Sequence, residues 1–293
     1  MKEYTILLFY KYVDIKSPDL VAGFVRGLCT GLNLKGRAII AREGVNITLE
    51  GHTEDVDRFC SEFSKQKGFK NIDWKKSSGD GKSFPRLSVK IRPEIVASNL
   101  NKKIKKKGEY LEPEDLNRWY EEKEDFVVVD MRNNYEYRVG HFRNSINPGM
   151  ENFRELRDVL PKLESLKGKK VVTVCTGGVR CEKASGYLLE KGFKEVYQLH
   201  GGMHRYMEKF GNKDFLGKLY VFDNRKVTGQ GGEHEIVGQC EVCNIPCERY
   251  ENCADPKCHK HLLICDKCFE KNRSFCSEIC KEKNLFKVEN MVK

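Results

Sequence analysis

From residue 112 to 212, short and fully apolar runs alternate with amphipathic stretches of helical spacing, a pattern that leaves few folds open. EPEDLNRWYEE reads as a helix, FVVVDMR as a strand and MENFRELRDVLPKLESL as a long helix. KVVTVC then reads as a strand, CEKASGYLLEKG as a helix and EVYQLHGG as a strand. Strands without a polar face need cover on both sides, so the spacing predicts a parallel sheet between helices. Pro161 has no amide proton to donate and crowds the preceding turn, so the long helix is expected to break near Leu160. Ligands of such sheets sit beyond the C-terminal ends of the strands, and Cys175 ends the strand KVVTVC.

The loop after Cys175 has the composition of an anion cradle. Only a thiolate is nucleophilic, and backbone amides at a helix start lower a thiol pKa from about 8.5 into the range of about 3.5–7.5. Thr176, Gly177, Gly178 and Val179 supply such amides, and the two glycines have no β-carbon to keep the backbone from turning inward. Arg180 adds a positive charge, and the helix beginning near Cys181 adds its positive end. Cys175, Arg180 and Cys181 are the candidate catalytic residues. The plain alternative is a strand, a turn and a helix with Cys175 as a small buried hydrophobe. A cysteine phosphatase needs five residues between nucleophile and arginine, whereas Thr176 to Val179 are four, so the shorter cradle suits a sulfur-sized anion.

Upstream, YTILLFYKYV reads as a strand, SPDLVAGFVRGLCTGL as a helix and GRAIIAREGVNITLEG as a hairpin around Glu43–Gly44. HTEDVDRFCSEFSKQ follows as a second helix and FPRLSVKIRPE as a last strand. The order βαββαβ is that of a ferredoxin-like domain. The expected fold class is therefore mixed: a ferredoxin-like α+β domain at 1–98, a basic linker at 99–111, and a parallel α/β domain at 112–212. A connecting segment at 213–239 and a cysteine-rich tail at 240–293 complete the chain.

Thirteen cysteines in 293 residues would suit a disulfide framework in a secreted protein, but nine of them crowd into 240–280. The opening MKEYTILLFYKYVD has too short an apolar run for a signal peptide, and no stretch approaches the roughly 20 apolar residues of a membrane span. The expectation is a cytoplasmic protein without a membrane partner. Clustered thiols then point to metal. Cys240 with Cys243, Cys265 with Cys268, and Cys276 with Cys280 have ligand-pair spacing, with Cys247, Cys253, Cys258, His259 and His261 available to complete a second site. Zinc is the leading ion, free or redox-active thiols without metal are the alternative, and an iron–sulfur site is a further possibility. The net charge of +10 favours a polyanionic partner, nucleic acid first. Lys102, Lys103, Lys105, Lys106 and Lys107 are its densest run, readable as a solvated linker or as phosphate contacts.

Together these segments carry a family resemblance. DMRNNYEYRVGHFRNSINP at 130–148 resembles the rhodanese signature, with Asp130, Arg132, Glu136 and His141 at its positions. The loop CTGGVRCEKAS, the preceding AREGVNITLEG and the cysteine-rich tail resemble, over nearly the whole chain, the bacterial tRNA uridine hydroxylase family, TrhO. The resemblance implies oxygen-dependent hydroxylation of the wobble uridine of tRNA to 5-hydroxyuridine, with tRNA as partner, molecular oxygen as co-substrate and Cys175 as the essential rhodanese-type cysteine. Cys181 matches a cysteine of the family loop, and three roles stand open for it: resolving a persulfide, tuning Cys175, or packing. The seven histidines contain no evident iron-binding triad, and no flavin fingerprint is present. Two rival readings are a sulfurtransferase carrying persulfide on Cys175 and a noncatalytic RNA-binding scaffold.

Overall fold

The computed structural model describes residues 3–100, 106–229, 234–258, 260–272 and 274–289. The N-terminal part runs β1 (Tyr4–Tyr12), α1 (Pro18–Gly31), β2 (Lys35–Ala41), β3 (Gly44–His52), α2 (Thr53–Ser64), β4 (Lys75–Gly79) and β5 (Leu87–Ile91). Its sheet has the order β4-β1-β3-β2-β5. Alternate residues of β1 point to opposite faces. Leu7 and Phe9 enter a core with Val25, Cys29, Phe59 and Phe63 of the two helices, and Leu8, Tyr10 and Tyr12 are left for the helix-free face. The ferredoxin-like order is thus present, but its closing strand is β4, antiparallel to β1. FPRLSVKIRPE supplies β5 instead, an added edge strand parallel to β2. The sequence KKSSG of β4 has no apolar alternation, because it lies at a sheet edge and draws its order from pairing with β1.

The central part contains β6 (Glu109–Leu111), α3 (Pro113–Glu122), β7 (Phe126–Asp130), α4 (Asn134–Val139), β8 (Gly140–Phe142), β9 (Lys170–Val174), α5 (Val179–Glu190), β10 (Glu195–Leu199), α6 (Gly202–Phe210) and β11 (Phe215–Gly217). Four strands form a parallel sheet in the order β6-β10-β9-β7. Val129 and Val171 pack with Ala184 and Leu188 on one face, and Val128, Val172 and Val174 with Leu116, Met203 and Tyr206 on the other. The apolar strands are covered on both sides, as their composition requires. Residues 109–111, at the end of the expected linker, pair as the edge strand β6. The long helix expected over 150–166 is two 3₁₀ segments, Phe153–Arg157 and Leu160–Leu166, the second with Pro161 in its first turn.

The C-terminal part has four short strands, β12 (Leu219–Tyr220), β13 (Val227–Thr228), β14 (Tyr250–Asn252) and β15 (His261–Leu263), then α7 (Asp266–Asn272) and α8 (Glu278–Glu289). Tyr250, Leu263, Ile264 and three buried cysteines pack on Val139 of α4, so the tail rests on the central domain. No helix among the described residues is long and apolar enough to cross a membrane.

Candidate active site

Cys175 follows β9 at the C-terminal end of the parallel sheet and is 0% exposed. Its Sγ accepts from the Gly178 amide at 3.2 Å, and the amides of Arg180 and Cys181 at the start of α5, with the Cys181 thiol, lie close enough to stabilise its charge. Burial alone raises a thiol pKa. Here the Cys181 hydrogen bond, the Arg180 charge and the two helix-start amides outweigh burial and hold Cys175 below the ordinary thiol value. Cys181 moves the other way, pushed up by burial and by its bond to Cys175, so it stays protonated as the donor.

Each part of the cradle is itself fixed. Arg180 forms a two-pronged ion pair with Glu136, Nη1 to Oε1 at 2.5 Å and Nη2 to Oε2 at 2.8 Å, and also donates to Thr176 Oγ1 at 3.2 Å. Thr176 Oγ1 donates to Glu136 at 3.3 Å. Glu136 belongs to a capping box with Asn133 at the start of α4, which sets its carboxylate beneath the loop. Thr176 therefore contributes its hydroxyl to the arginine–glutamate pair, and the Val179 carbonyl accepts from the Tyr12 hydroxyl at 3.2 Å. Behind the loop, the first amides of α6 reach its carbonyls: Met203 N–H to Cys175 O at 2.9 Å and His204 N–H to Thr176 O at 3.0 Å. Gly202, with φ +66°, makes this approach possible, since a β-carbon there would lie 2.6 Å from Cys175 O.

Asp130 and Arg132 form a fully buried pair, Nη2 to Oδ2 at 2.7 Å, and Arg132 also donates to Gly140 O at 2.6 Å. They tie the end of β7 to β8. His141 stacks on Tyr137 at 4.0 Å with Nδ1 3.0 Å from the Tyr137 carbonyl, and burial lowers its pKa.

The N-terminal domain covers the cradle. Built β-carbons on Gly177 and Gly178 would lie 3.0 Å from Leu8 Cδ2 and 2.9 Å from Tyr10 Oη. Tyr10 donates to Glu182 at 3.2 Å, and Lys183 pairs with Glu43 at 2.8 Å and Glu94 at 2.7 Å. The polar face of α5 is buried by this contact. Lys75, directly opposite Leu8 in the sheet, is 1% exposed, paired with Asp73 at 2.6 Å and near enough to feel the Cys175 charge.

In the tail, two sets of four thiols converge, Cys240, Cys243, Cys265 and Cys268 in one and Cys253, Cys258, Cys276 and Cys280 in the other. Within each set the sulfurs lie within 4.8 Å of one another. The pairs Cys243–Cys265, Cys258–Cys276 and Cys276–Cys280 stand at 3.7, 3.6 and 3.5 Å. A tetrahedron of sulfurs at about 2.3 Å from one ion has edges of about 3.8 Å, so both sets fit a metal ion. The first and third cysteine pairs share one site and the second and fourth share the other. Cys276 and Cys280 thus join Cys253 and Cys258 rather than the first set. Cys247 belongs to neither, its thiol pushed up to about 12 by burial. His261 stacks on Tyr135 at 4.7 Å instead of joining a metal set, and His259 lies outside the described residues.

The three parts match known families in the same order. Residues 4–95 match the model described as the UPF0176 acylphosphatase like domain, 112–209 the rhodanese-like domain and 216–281 the rhodanase C-terminal domain. The chain is 42% identical over 284 residues to a tRNA uridine(34) hydroxylase of Cytophaga hutchinsonii, covering 96% of this chain and 91% of that one. It is 42% identical over 284 residues to one of Aster yellows witches'-broom phytoplasma, with 94% and 92% covered. A third, of Bacillus cytotoxicus, is 40% identical over 289 residues, with 96% and 88% covered. The chain belongs to the tRNA uridine(34) hydroxylase family.

In this hydroxylase-family chain the structure brings Cys175, Thr176, Gly177, Gly178, Val179, Arg180 and Cys181 together as one loop. The lysine run is another matter. Lys102, Lys103 and Lys105 lie outside the described residues, and Lys106 is exposed. Lys107 is exposed and is held by Glu182 at 3.0 Å and Tyr110 at 2.8 Å. Sequence reasoning missed Leu8, Tyr10, Tyr12 and Lys75 over the loop, and Gly202 behind it. Gly201–Gly202 after an apolar strand was the one local signal available for them.

Proposed function

We propose that this protein hydroxylates the wobble uridine of tRNA to 5-hydroxyuridine in an oxygen-dependent reaction that uses Cys175. The near full-length similarity to relatives named tRNA uridine(34) hydroxylase carries this reading. A rhodanese-type cradle by itself serves sulfur transfer equally well. Hydroxylation is favoured because the similarity extends through the N-terminal domain and the cysteine-rich tail. Cys175 acts as thiolate, the Gly178, Arg180 and Cys181 amides hold negative charge at the sulfur, and Cys181 donates to it. Arg180, bound on both prongs by Glu136, keeps the loop rigid and its potential positive.

We assign zinc to the two four-cysteine sets, with iron the alternative. Four protein thiolates leave no open coordination position, so these ions would cross-link the tail. The chain is read as the five segments 1–98, 99–111, 112–212, 213–239 and 240–293, acting in the cytoplasm where tRNA is modified. Mass analysis of tRNA nucleosides from a deletion strain tests the function: 5-hydroxyuridine disappears and returns with the wild-type gene but not with Cys175→Ser. Loss of a thiolated nucleoside instead would establish the sulfurtransferase.

A further inference from the structure

The helix-free face of the N-terminal sheet presents a row of directly paired residues, Lys75 opposite Leu8, Leu8 opposite Thr48, and Thr48 opposite Arg37. Directly paired residues project to the same side, so the row shares one face. Leu8 sits on Gly177 of the Cys175 loop. Lys75 at one end is buried with Asp73. Arg37, two strands from Leu8, is exposed and has no acidic partner among the described residues. The hydroxyls of Tyr135 and Tyr220, raised mainly by burial, both feel the Arg37 charge, so Arg37 faces the same region of the molecule as they do.

Phe222 stands next to Tyr220, which in turn packs on Tyr135 at 5.1 Å. Its ring packs edge-on against Tyr220 at 5.4 Å, and the Arg180 guanidinium carbon lies 5.8 Å from its centre. Its backbone is held on a fixed turn. Asp223 accepts from Arg225 at 2.9 and 2.7 Å, and Asn224 donates to Ser83 O and Lys82 O of the N-terminal domain at 2.9 and 2.8 Å. Yet the residue is 44% exposed. A rigid, solvent-facing aromatic, within cation–π distance of the arginine of the reactive loop and on the side of the molecule that an unpaired cation faces, has the chemistry of a seat for one unstacked base and a phosphate.

We propose that Phe222 stacks on the target uracil of the RNA substrate and that Arg37 takes a phosphate next to it. This deepens the functional reading above and rests on it. A single ring beside a cation, rather than a broad apolar patch, favours a nucleotide over a protein surface.

The test uses the full chain and two synthetic anticodon stem-loops, one with uridine at position 34 and one abasic there, with binding followed by anisotropy. Wild-type protein is expected to prefer the uridine stem-loop by about 5- to 150-fold, the range that one base–aromatic stack gives. Phe222→Ala should lose that preference while binding the abasic stem-loop like wild type, and Phe222→Trp should restore it. Arg37→Gln should lower the salt slope by roughly 0.7. A Phe222→Ala protein that keeps the preference, or that weakens both stem-loops equally, overturns the seat, as does an unchanged slope for Arg37→Gln. Product formation is scored separately. Wild-type protein that discriminates but makes no 5-hydroxyuridine defeats the functional reading and leaves the seat standing.

Discussion

Cys29 and Cys175 are both fully buried, yet their thiols move in opposite directions. Cys29 sits among apolar side chains, and burial pushes it up to about 12. Cys175 meets the same burial with amides, a thiol donor and an arginine aimed at it, and is held low. If the Cys181 donor matters, Cys181→Ala should move the Cys175 titration upward by about one to two pH units, since a hydrogen bond to a charged group contributes about 1.5–3 kcal/mol. The thiolate absorbance near 240 nm, taken as a difference against the Cys175→Ser counterpart, reads this directly; an unmoved curve would assign Cys181 to packing. A thiol with a depressed folded pKa contributes stability that is complete above its unfolded value, about 8.5, and is lost as pH falls through the folded value. The stability deficit of Cys175→Ser should therefore be largest in alkaline buffer.

At the scale of elements, the cradle is a strand end, a glycine turn and two helix starts, of which α6 donates two amides to the loop carbonyls. Gly202→Ala places a β-carbon against backbone at a positive φ, and strain plus overpacking should cost about 2–4 kcal/mol in urea unfolding. Gly168→Ala meets nothing within 4 Å and should stay within about 0.5 kcal/mol of wild type. Equal stabilities for the two would mean that α6 does not hold the loop. In the tail, the alternating cysteine pairs interlock the two metal sets, so purified protein should carry two zinc ions per chain. Elemental analysis of Cys258→Ser should give one, and of Cys247→Ser still two; a loss of metal from the latter would break the grouping.

At the scale of the whole molecule, a helix that is polar toward the outside, α5, is buried because a second domain lies on it. Glu182 and Lys183 there are satisfied from β1, the Glu43 turn and Glu94. The tail reaches the same site from behind: Tyr250 donates to the Tyr135 carbonyl and Val139 packs in the tail core, which steadies α4 and with it Glu136. Cys175 is thus closed in. Tyr10→Ala removes the ring over Gly178 and should speed iodoacetamide labelling of Cys175 severalfold, by making local opening easier. Peptide mapping locates the label, and an unchanged rate would show that the N-terminal domain does not control access.

The parallel sheet and the cradle were legible because their causes are local: a strand buried on both faces must be apolar throughout, and a loop that turns amides inward needs glycine at Gly178. Rhodanese-type motifs and the cysteine pairs were legible for the same reason, since spacing along the chain fixes which side chains can converge. Three things were decided only by tertiary structure. The strand KKSSG has no pattern of its own and exists by pairing with β1. The sharing of metal between the first and third, and second and fourth, cysteine pairs depends on the path of the chain between them. The cover over Cys175 joins β1 to a loop more than 160 residues away, a contact set by how two separately folded faces fit and written in neither segment alone.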